Sequence, residues 1–392
     1  LSQTERSRVS GSVPTRWRSR PSRLPPELDV TVGIDFAARA DQLRTRLIDG
    51  GLPPALLIAD APSVRWLTGL SSSNAVAVLL PEAVVLVTDS RYAAAARCAE
   101  SHVDVRIDRQ LLRVAVDSLA EAGTGSFVVD PRALSVGDLE QLRSLADGTG
   151  VVFSQGQIED LRGHKDAPEV ELLTRACEIS TAALGELQPE IAVGMTEIAV
   201  ARRLEQLFGE LGAEDRAFPS IVAAGPNSAI PHHEPTNRAI AAGDILKIDF
   251  GARVGGYHAD CTRTFIVGSA PTDRQRAVHE AVSDAAAAAR QALRVGVEVA
   301  ELDAIARAVL SDAGLEQYFT HGLGHGIGLE IHESPLLSKA SAGTICDGAV
   351  VTIEPGVYLP GEFGVRIEDT CHVTADATTI LTNFPRELAR IG

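Results

Sequence analysis

Residues 247–263 read KIDFGARVGGYHADCTR and carry two carboxylates, Asp249 and Asp260, around which the rest of the chain is arranged. β-type residues flank both of them, and the turn signal VGG at 254–256 lies between. Folding the chain about the midpoint of residues 254 and 255 places Asp249 directly opposite Asp260. Opposed like charges destabilise a hairpin unless a cation lies between them. The alternatives are two solvated aspartates on a hairpin rim, or a slipped register.

A second hairpin is predicted in residues 350–370, VVTIEPGVYLPGEFGVRIEDT, where two β runs flank a Pro360-Gly361 turn. Folding about Gly361 places Glu354 opposite Glu368. One opposed pair of carboxylates arises easily by chance, but two pairs built in the same way do not. We therefore predict that four carboxylates lie together on neighbouring strands.

Candidate imidazoles lie between and before the hairpins. The segment 321–332, HGLGHGIGLEIH, has alternating glycines that disfavour a helix and permit close approach of backbone segments. His325 can supply an imidazole ligand there. Upstream, His232 and His233 follow a GPN turn, and one of them is expected to reach the site. A solvated loop histidine is an equal alternative for His232 and the favoured one for His233.

This set of side chains predicts a metal centre. Four carboxylates and one imidazole are too many ligands for one ion with an open position, but they suit two divalent ions roughly 3.5–4 Å apart. Oxygen-rich ligation favours Mn²⁺, with Co²⁺ or Zn²⁺ able to substitute. Mg²⁺ is an alternative that the histidine weakens.

Composition indicates two globular domains. The chain has 392 residues, a hydrophobic content of 45% and no run of 18 apolar residues. Its net charge is −16, and residues 1–23 contribute +5 (six Arg, one Glu), so the remainder carries −21. An acidic body argues against nucleic acid and anionic membranes as partners.

Five widely spaced cysteines without a C-x-x-C motif argue against a disulfide framework and favour the cytoplasm. Strand alternation points Cys261 away from the face of Asp260, so we interpret it as a packing residue rather than a catalytic thiol. The N-terminal tail has no apolar h-region, so we expect no secretory signal.

Three regions are predicted along the chain. Residues 1–28 form a disordered basic tail, 29–160 an α/β domain with a parallel or mixed sheet, and 161–392 an α+β domain. Asp166 is the expected N-cap of the first helix of the last region. Its predicted helices are 170–187, 196–211, 277–293 and 299–313, and its predicted strands are 220–223, 245–252, 258–267, 350–353 and 364–369.

The ordered set Asp249, Asp260, His325, Glu354 and Glu368 resembles the five metal ligands of the "pita-bread" metallopeptidases, which include methionine aminopeptidase, aminopeptidase P and prolidase. The strings DFG, DCTRT, HGLGHGIG, EPG and RIED are similar to theirs. VRWLTGL and TDSRY, within residues 36–158, resemble the creatinase-type N-terminal domain, which methionine aminopeptidases generally lack. The resemblance therefore favours the Xaa-Pro branch, that is, bacterial cytoplasmic Xaa-Pro dipeptidases and aminopeptidases. It implies a pita-bread catalytic domain behind a smaller α/β domain, and a homodimer.

The resemblance also implies roles for single residues. Asp249 would chelate one metal, His325 and Glu354 would serve the metals on the other side, and Asp260 and Glu368 would bridge. A hydroxide between the metals would attack the Xaa-Pro carbonyl, with Glu354 as proton shuttle. Four further residues match family positions: His232 near the substrate, His332 at the scissile bond, and His321 and Arg366 on the proline side. Arg366 would bind a ligand carboxylate or simply order Glu368.

Other functions on the same fold stay open. One is aminopeptidase activity on non-proline substrates. A creatinase-like C–N hydrolase works without metal, which the intact ligand set argues against. A non-catalytic peptide-binding module would be expected to lack at least one ligand, and none is replaced.

Overall fold

The computed structural model describes residues 33–99 and 101–392. The predicted basic tail, 1–28, and the start of the first domain at residue 29 lie outside this range. The boundary at 160/161 stays a prediction, and the structure places that position inside a short helix, Glu159–Gly163.

The first unit is a mixed sheet covered by helices. In the part of residues 33–164 that the structure describes, its strands are β1 Leu56–Ile58, β2 Ala75–Leu79, β3 Val84–Thr88, β4 Asp104–Ile107, β5 Ser126–Val129 and β6 Gly150–Phe153, and its helices are α1 Phe36–Asp49, α2 Ala61–Thr68, α3 Ala93–Ala96, α4 Leu111–Glu121, α5 Val136–Leu145 and α6 Glu159–Gly163. The sheet has the strand order β4-β3-β2-β1-β5-β6. β1 pairs antiparallel with β2 and parallel with β5, so the prediction of a parallel or mixed sheet is confirmed as mixed.

The second unit begins at the predicted cap. Asp166 and Glu169 form a capping box at the start of α7, and this arrangement satisfies backbone N–H groups of the first turn. The four predicted helices are found with small shifts in their ends: α7 Ala167–Leu187, α8 Glu197–Glu210, α9 Asp273–Ala292 and α10 Val299–Asp312.

Two sheets of this unit bring the predicted hairpins together. The strands of this unit are β7 Asp215–Arg216, β8 Ile221–Ala224, β9 Ile245–Phe250, β10 Ala252–Val254, β11 Tyr257–His258, β12 Cys261–Val267, β13 Gly324–Gly326, β14 Glu333–Leu337, β15 Ala349–Ile353, β16 Gly356–Leu359, β17 Phe363–Arg366, β18 Asp369–Val373, β19 Thr378–Ile380 and β20 Arg390–Ile391. One of the two sheets has the order β20-β12-β9-β8 and the other β14-β13-β15-β18-β19, with β16-β17 and β11-β10-β7 as smaller sheets.

The predicted register of the first hairpin is wrong by two residues. Asp249 pairs with Thr262 rather than with Asp260. The reason is the turn, in which Gly255 and Gly256 both have positive φ, at 57° and 80°. A tight hairpin turn of this kind requires positive φ at both central residues. The predicted turn had Val254 as one of its central residues, and positive φ is unfavourable for a β-branched residue. A shift of two residues conserves side-chain direction, so Asp249 and Asp260 stay on one face as diagonal neighbours.

The predicted register of the second hairpin is confirmed. Gly356 pairs with Arg366 on one side of the carboxylates, and Ile353 pairs with Asp369 on the other. Both pairs have the same register, and it places Glu354 opposite Glu368.

Two buried basic side chains connect the end of the first unit to β14. Arg162 of α6 forms a salt bridge with Glu333, and Lys165 Nζ lies 3.1 Å from Glu333 Oε2. All three side chains are buried. Glu333 directly follows His332, so this cluster fixes the backbone beside one of the predicted site residues.

Candidate metal centre

The acidic side chains lie where paired strands are interrupted. Glu354 falls between β15 and β16, Glu368 between β17 and β18, and Asp260 just before β12. The strands predicted as 258–267 and 364–369 are each broken at these points. Asp249 lies one residue before the end of β9, and His325 is the central residue of β13.

These residues line one cavity of about 300 Å³. The predicted ligands therefore converge in space although 119 positions separate Asp249 from Glu368. The other predicted site residues at this cavity are His232, His332 and Arg366, and its remaining lining consists of Phe218, Pro219, Ile221, His233, Glu234, Pro235 and Ile331.

Three of the side chains have the geometry of a metal site. One ligand atom each from Asp260, His325 and Glu368 lies within 4.8 Å of the others. His325 Nε2 lies 3.6 Å from Asp260 Oδ2 and 3.4 Å from Glu354 Oε1. At these separations the atoms are too far apart for a short hydrogen bond, and an ion can lie between them.

Buried carboxylate oxygens without partners show that the site fits cations. Among the described residues, Asp249 Oδ1, Asp260 Oδ1 and Glu368 Oε1 are buried and have no hydrogen-bond donor. An unpaired buried polar atom destabilises a fold by about 1–3 kcal/mol, and more when it carries charge. Divalent cations that prefer oxygen ligands would satisfy all three atoms.

The pKa values of the predicted ligands are also consistent with a metal centre. Burial raises the pKa of Glu354 to about 8, with Arg366 opposing the rise and Asp249 adding to it. Burial and the neighbouring carboxylates raise the pKa values of Asp260 and Glu368 well above their ordinary values. Burial, followed by His332, lowers the pKa of His325 to about 4, so its imidazole is neutral at pH 7, as a metal ligand must be.

Arg366 was predicted to bind a ligand carboxylate or to order Glu368, but its direct partner is Asp249. It is 2% exposed and pairs through Nη2 with Asp249 Oδ2, not with Glu368. Its Nε donates to Thr262 Oγ1 at 3.0 Å, and that hydroxyl donates to Glu368 Oε2 at 2.7 Å. One guanidinium therefore orients two of the four carboxylates, the second of them through a threonine that sequence analysis missed. The signal for Thr262 was its place opposite Asp249, which only the correct register reveals.

The predicted histidines separate into two groups. His232 and His332 line the cavity, and the rings of His332 and His325 lie edge to face, with centroids 4.4 Å apart. His321 is not among the lining residues; its Nε2 lies 2.8 Å from the hydroxyl of Tyr358. Burial, followed by Arg366, lowers the pKa of His321 to about 3. Its predicted place on the proline side therefore stays a prediction.

Tyr358 is a second residue that sequence analysis missed. It lies in β16, and its hydroxyl accepts a hydrogen bond from Arg366 Nη1 at 2.7 Å. No sequence signal separated it from an ordinary core aromatic. The favoured alternative for His233, a solvated loop histidine, is wrong, since the residue is buried and its Nε2 lies 2.9 Å from Glu197 Oε2. Cys261 is also buried, as predicted for a packing residue.

Comparison with known proteins identifies the family. The model of metallopeptidase family M24 matches residues 171–375, which include all five predicted ligands. The chain belongs to metallopeptidase family M24. The creatinase/prolidase N-terminal domain matches residues 39–164. The predicted pita-bread architecture behind a creatinase-type domain is thereby confirmed.

Similar M24 proteins match most of the chain. The Xaa-Pro dipeptidase of Pyrococcus horikoshii is 35% identical over 338 residues, covering 85% of this chain and 94% of that protein. The structure of an Xaa-Pro dipeptidase from Bacillus anthracis superposes with a TM-score of 0.87 and 30% identity, covering 91% of this chain and all of that one. The X-Pro aminopeptidase from Thermotoga maritima gives a TM-score of 0.83 and 31% identity, covering 90% and 99%.

Family membership makes this chain a metallopeptidase that uses divalent metal. In the described part of the chain, each helix is too short or too polar to cross a bilayer.

Proposed function

We propose that this M24 metallopeptidase hydrolyses the peptide bond between an N-terminal residue and proline, as an Xaa-Pro dipeptidase or aminopeptidase. The observation that carries the proposal is the set of three unpartnered buried carboxylate oxygens, whose residues line the same cavity as His325. The names of the similar proteins from P. horikoshii, B. anthracis and T. maritima support Xaa-Pro bonds as the substrate class.

Two divalent ions, natively Mn²⁺, would be held by Asp249, Asp260, His325, Glu354 and Glu368. When bound, such ions polarise a carbonyl and lower the pKa of water. The donor set supports this assignment, because four carboxylates match hard cations and leave too many ligands for a single ion. Co²⁺ and Zn²⁺ are expected to substitute.

The chain itself supplies proton transfer and positioning. Glu354 has the most exposed of the four carboxylates, with 17% of its side chain accessible, so it is placed to pass a proton between the attacking water and the leaving proline nitrogen. His232 and His332 line the same cavity and can donate hydrogen bonds to the substrate carbonyl as charge develops on it. Arg366 holds Asp249 in a fixed orientation.

The cavity favours small substrates. A volume of about 300 Å³ lies at the lower end of the range for ligand sites, which suits a dipeptide or the first two residues of a peptide. Arg366 is proposed for the proline side because it lines this cavity. His321 is proposed there on the family resemblance, and Tyr358 connects it to Arg366.

Hydrolysis of Xaa-Pro dipeptides by the purified protein with Mn²⁺ tests the proposal. Glu354→Gln and His325→Ala are each expected to lower kcat about 100-fold or more, because each removes a ligand or a proton carrier. Glu362→Gln, on the exposed turn of the second hairpin, is the matched control and should keep full activity. Unimpaired hydrolysis by both site variants would refute the assigned chemistry.

Two further measurements separate the alternatives. Metal analysis of protein reconstituted with Mn²⁺ should give about two ions per chain, and no bound ion would favour a non-catalytic peptide-binding module. Equal rates on Xaa-Pro and Xaa-Ala dipeptides would favour a general aminopeptidase. We also propose that the protein is a cytoplasmic homodimer. Light scattering after size-exclusion chromatography tests the oligomeric state.

A further inference from the structure

A loop that carries His232 is held by two buried polar side chains, Lys247 and Glu197. The loop spans residues 225–236, between β8 and β9, and begins with a short 3₁₀ helix, Gly225–Ala229. His232 itself is exposed toward the cavity, whereas Lys247 and Glu197 have 0% exposure. Neither buried residue belongs to the predicted metal ligands.

Lys247 holds the two residues before His232. Its Nζ donates to the backbone carbonyl of Ile230 at 2.7 Å and to that of Pro231 at 3.1 Å. Arg366 Nη1 donates to the same Pro231 carbonyl at 3.3 Å. Nζ also lies 5.0 Å from the ring centroid of Tyr358. Across residues 33–99 and 101–392, Lys247 forms no salt bridge, so the carbonyls of this loop are its main hydrogen-bond acceptors.

An ammonium group in this position is costly for stability. Removing it from water is unfavourable, and two carbonyls compensate for that loss less well than a carboxylate would. A methionine of similar length would fill the same space without this penalty. The lysine is therefore explained by what it holds in place and not by its contribution to the core.

Glu197 holds the residues after His232. Its carboxylate accepts hydrogen bonds from His233 Nε2 at 2.9 Å and from the backbone N–H of Thr236 at 3.0 Å. The same carboxylate accepts from the backbone N–H of Ala224 at 2.8 Å, which fixes the start of the loop. The backbone on both sides of His232 is thus hydrogen-bonded to a buried polar side chain.

We propose that Lys247 and Glu197 are positioning residues that fix His232 over the metal centre. The inference rests on the proposed function, in which His232 contacts the substrate. An exposed histidine has few contacts of its own to determine where its ring lies, so its place depends on the backbone that carries it. A displacement of about 1 Å at such a residue can cost about 100-fold in rate.

A double-mutant cycle tests the inference. Lys247→Met is expected to lower kcat/KM for an Xaa-Pro dipeptide roughly tenfold to 100-fold with two Mn²⁺ still bound, but less than about twofold when His232→Ala is already present. A structural role of the lysine would lower kcat/KM by the same factor in both backgrounds, and that result would overturn the proposal. Lys339→Met, at an exposed lysine, is the control and should behave like the wild type in both.

A second measurement does not depend on activity. Lys247→Met and Glu197→Gln should each raise amide hydrogen exchange in peptides from residues 225–236 while exchange in α4 stays unchanged. If Lys247→Met does not fold, Glu197→Gln carries the test. A wild type that cleaves no Xaa-Pro bond would remove the proposed function but leave this readout intact, whereas unchanged exchange in both variants would refute the positioning role itself.

Discussion

Metal binding to this protein is expected to release at least about one proton at pH 7. The reason is Glu354, whose pKa burial raises to about 8 in the metal-free protein. At pH 7 a group with a pKa of 8 is protonated in a fraction 10/(10 + 1), about 0.9. A carboxylate must lose this proton to become a metal ligand, so Glu354 alone supplies about 0.9 proton.

The other ligands determine whether the total is larger. Asp260 and Glu368 have pKa values raised well above the ordinary range, first by burial and then by neighbouring carboxylates, so they add to the release. His325 adds nothing, because its pKa of about 4 leaves the imidazole already neutral at pH 7. Below pH 8 the apparent affinity should therefore rise with pH, about tenfold per pH unit for each proton released.

Isothermal titration of Mn²⁺ into metal-free protein measures this number directly. The titration is repeated at pH 7 in buffers that differ in ionisation enthalpy, and the slope of the observed heat against that enthalpy gives the protons released. Glu354→Gln should release about 0.9 proton fewer than the wild type, and Glu362→Gln on the exposed turn should release the same number as the wild type. A wild-type value below about half a proton would refute the argument that these carboxylates share a buried site.

Three further predictions concern stability and orientation. Burial alone would raise the pKa of Glu333, but the two buried cations, Lys165 first, outweigh it and lower the pKa to about 2. The ionised carboxylate therefore contributes about 3 kcal/mol to the free energy of unfolding above pH 4.5, and this contribution is lost as the pH falls toward 2. In urea unfolding, Glu333→Gln should be less stable than the wild type by about 3 kcal/mol at pH 7 and by only about 1 kcal/mol at pH 3. Gly324→Ala should abolish soluble folded protein or metal binding, since its Cβ would lie 2.0 Å from the carbonyl oxygen of Thr352; normal Mn²⁺ content would contradict this. Tyr358→Phe leaves Arg366 without one acceptor and should cost about 1–3 kcal/mol of unfolding free energy, while Mn²⁺ stoichiometry stays at the wild-type value.

The hairpins show which part of a site periodicity can predict. Strand periodicity fixes the face on which a side chain lies, and a register error of two residues does not change that face. The first hairpin was predicted with this error, yet Asp249 and Asp260 still lie on one face at one cavity. An error of one residue would have moved one carboxylate to the opposite face. The glycines at 255 and 256 contained the information for the correct register, because only they suit the turn.

The glycines of 321–332 illustrate a second prediction that sequence supports. A Cβ at Gly326 would lie 2.3 Å from the carbonyl oxygen of Ser334, and one at Gly328 would lie 2.7 Å from the Glu333 carboxylate. The predicted close approach of backbone segments is therefore confirmed at Gly326, and at Gly328 the neighbour is a side chain. The pattern could not identify the neighbouring segments, because β13 has three residues, two of them glycine, and β14 has only five, which is too short to show a clear periodicity.

The groups that orient the ligands were beyond prediction for a more general reason. Arg366 lies on β17 and holds Asp249, a residue of another sheet 117 positions earlier. Alternation along the predicted strand placed Arg366 on the same face as Glu368, so the sequence offered two roles for it, ordering Glu368 or binding a ligand carboxylate. The contact with Asp249 depends on how two sheets pack, which is set by buried side chains across the whole core. Sequence therefore predicts the carboxylates, whose positions follow from single hairpins. It does not predict the contacts of Arg366 with Asp249 and Thr262, because those contacts cross between hairpins.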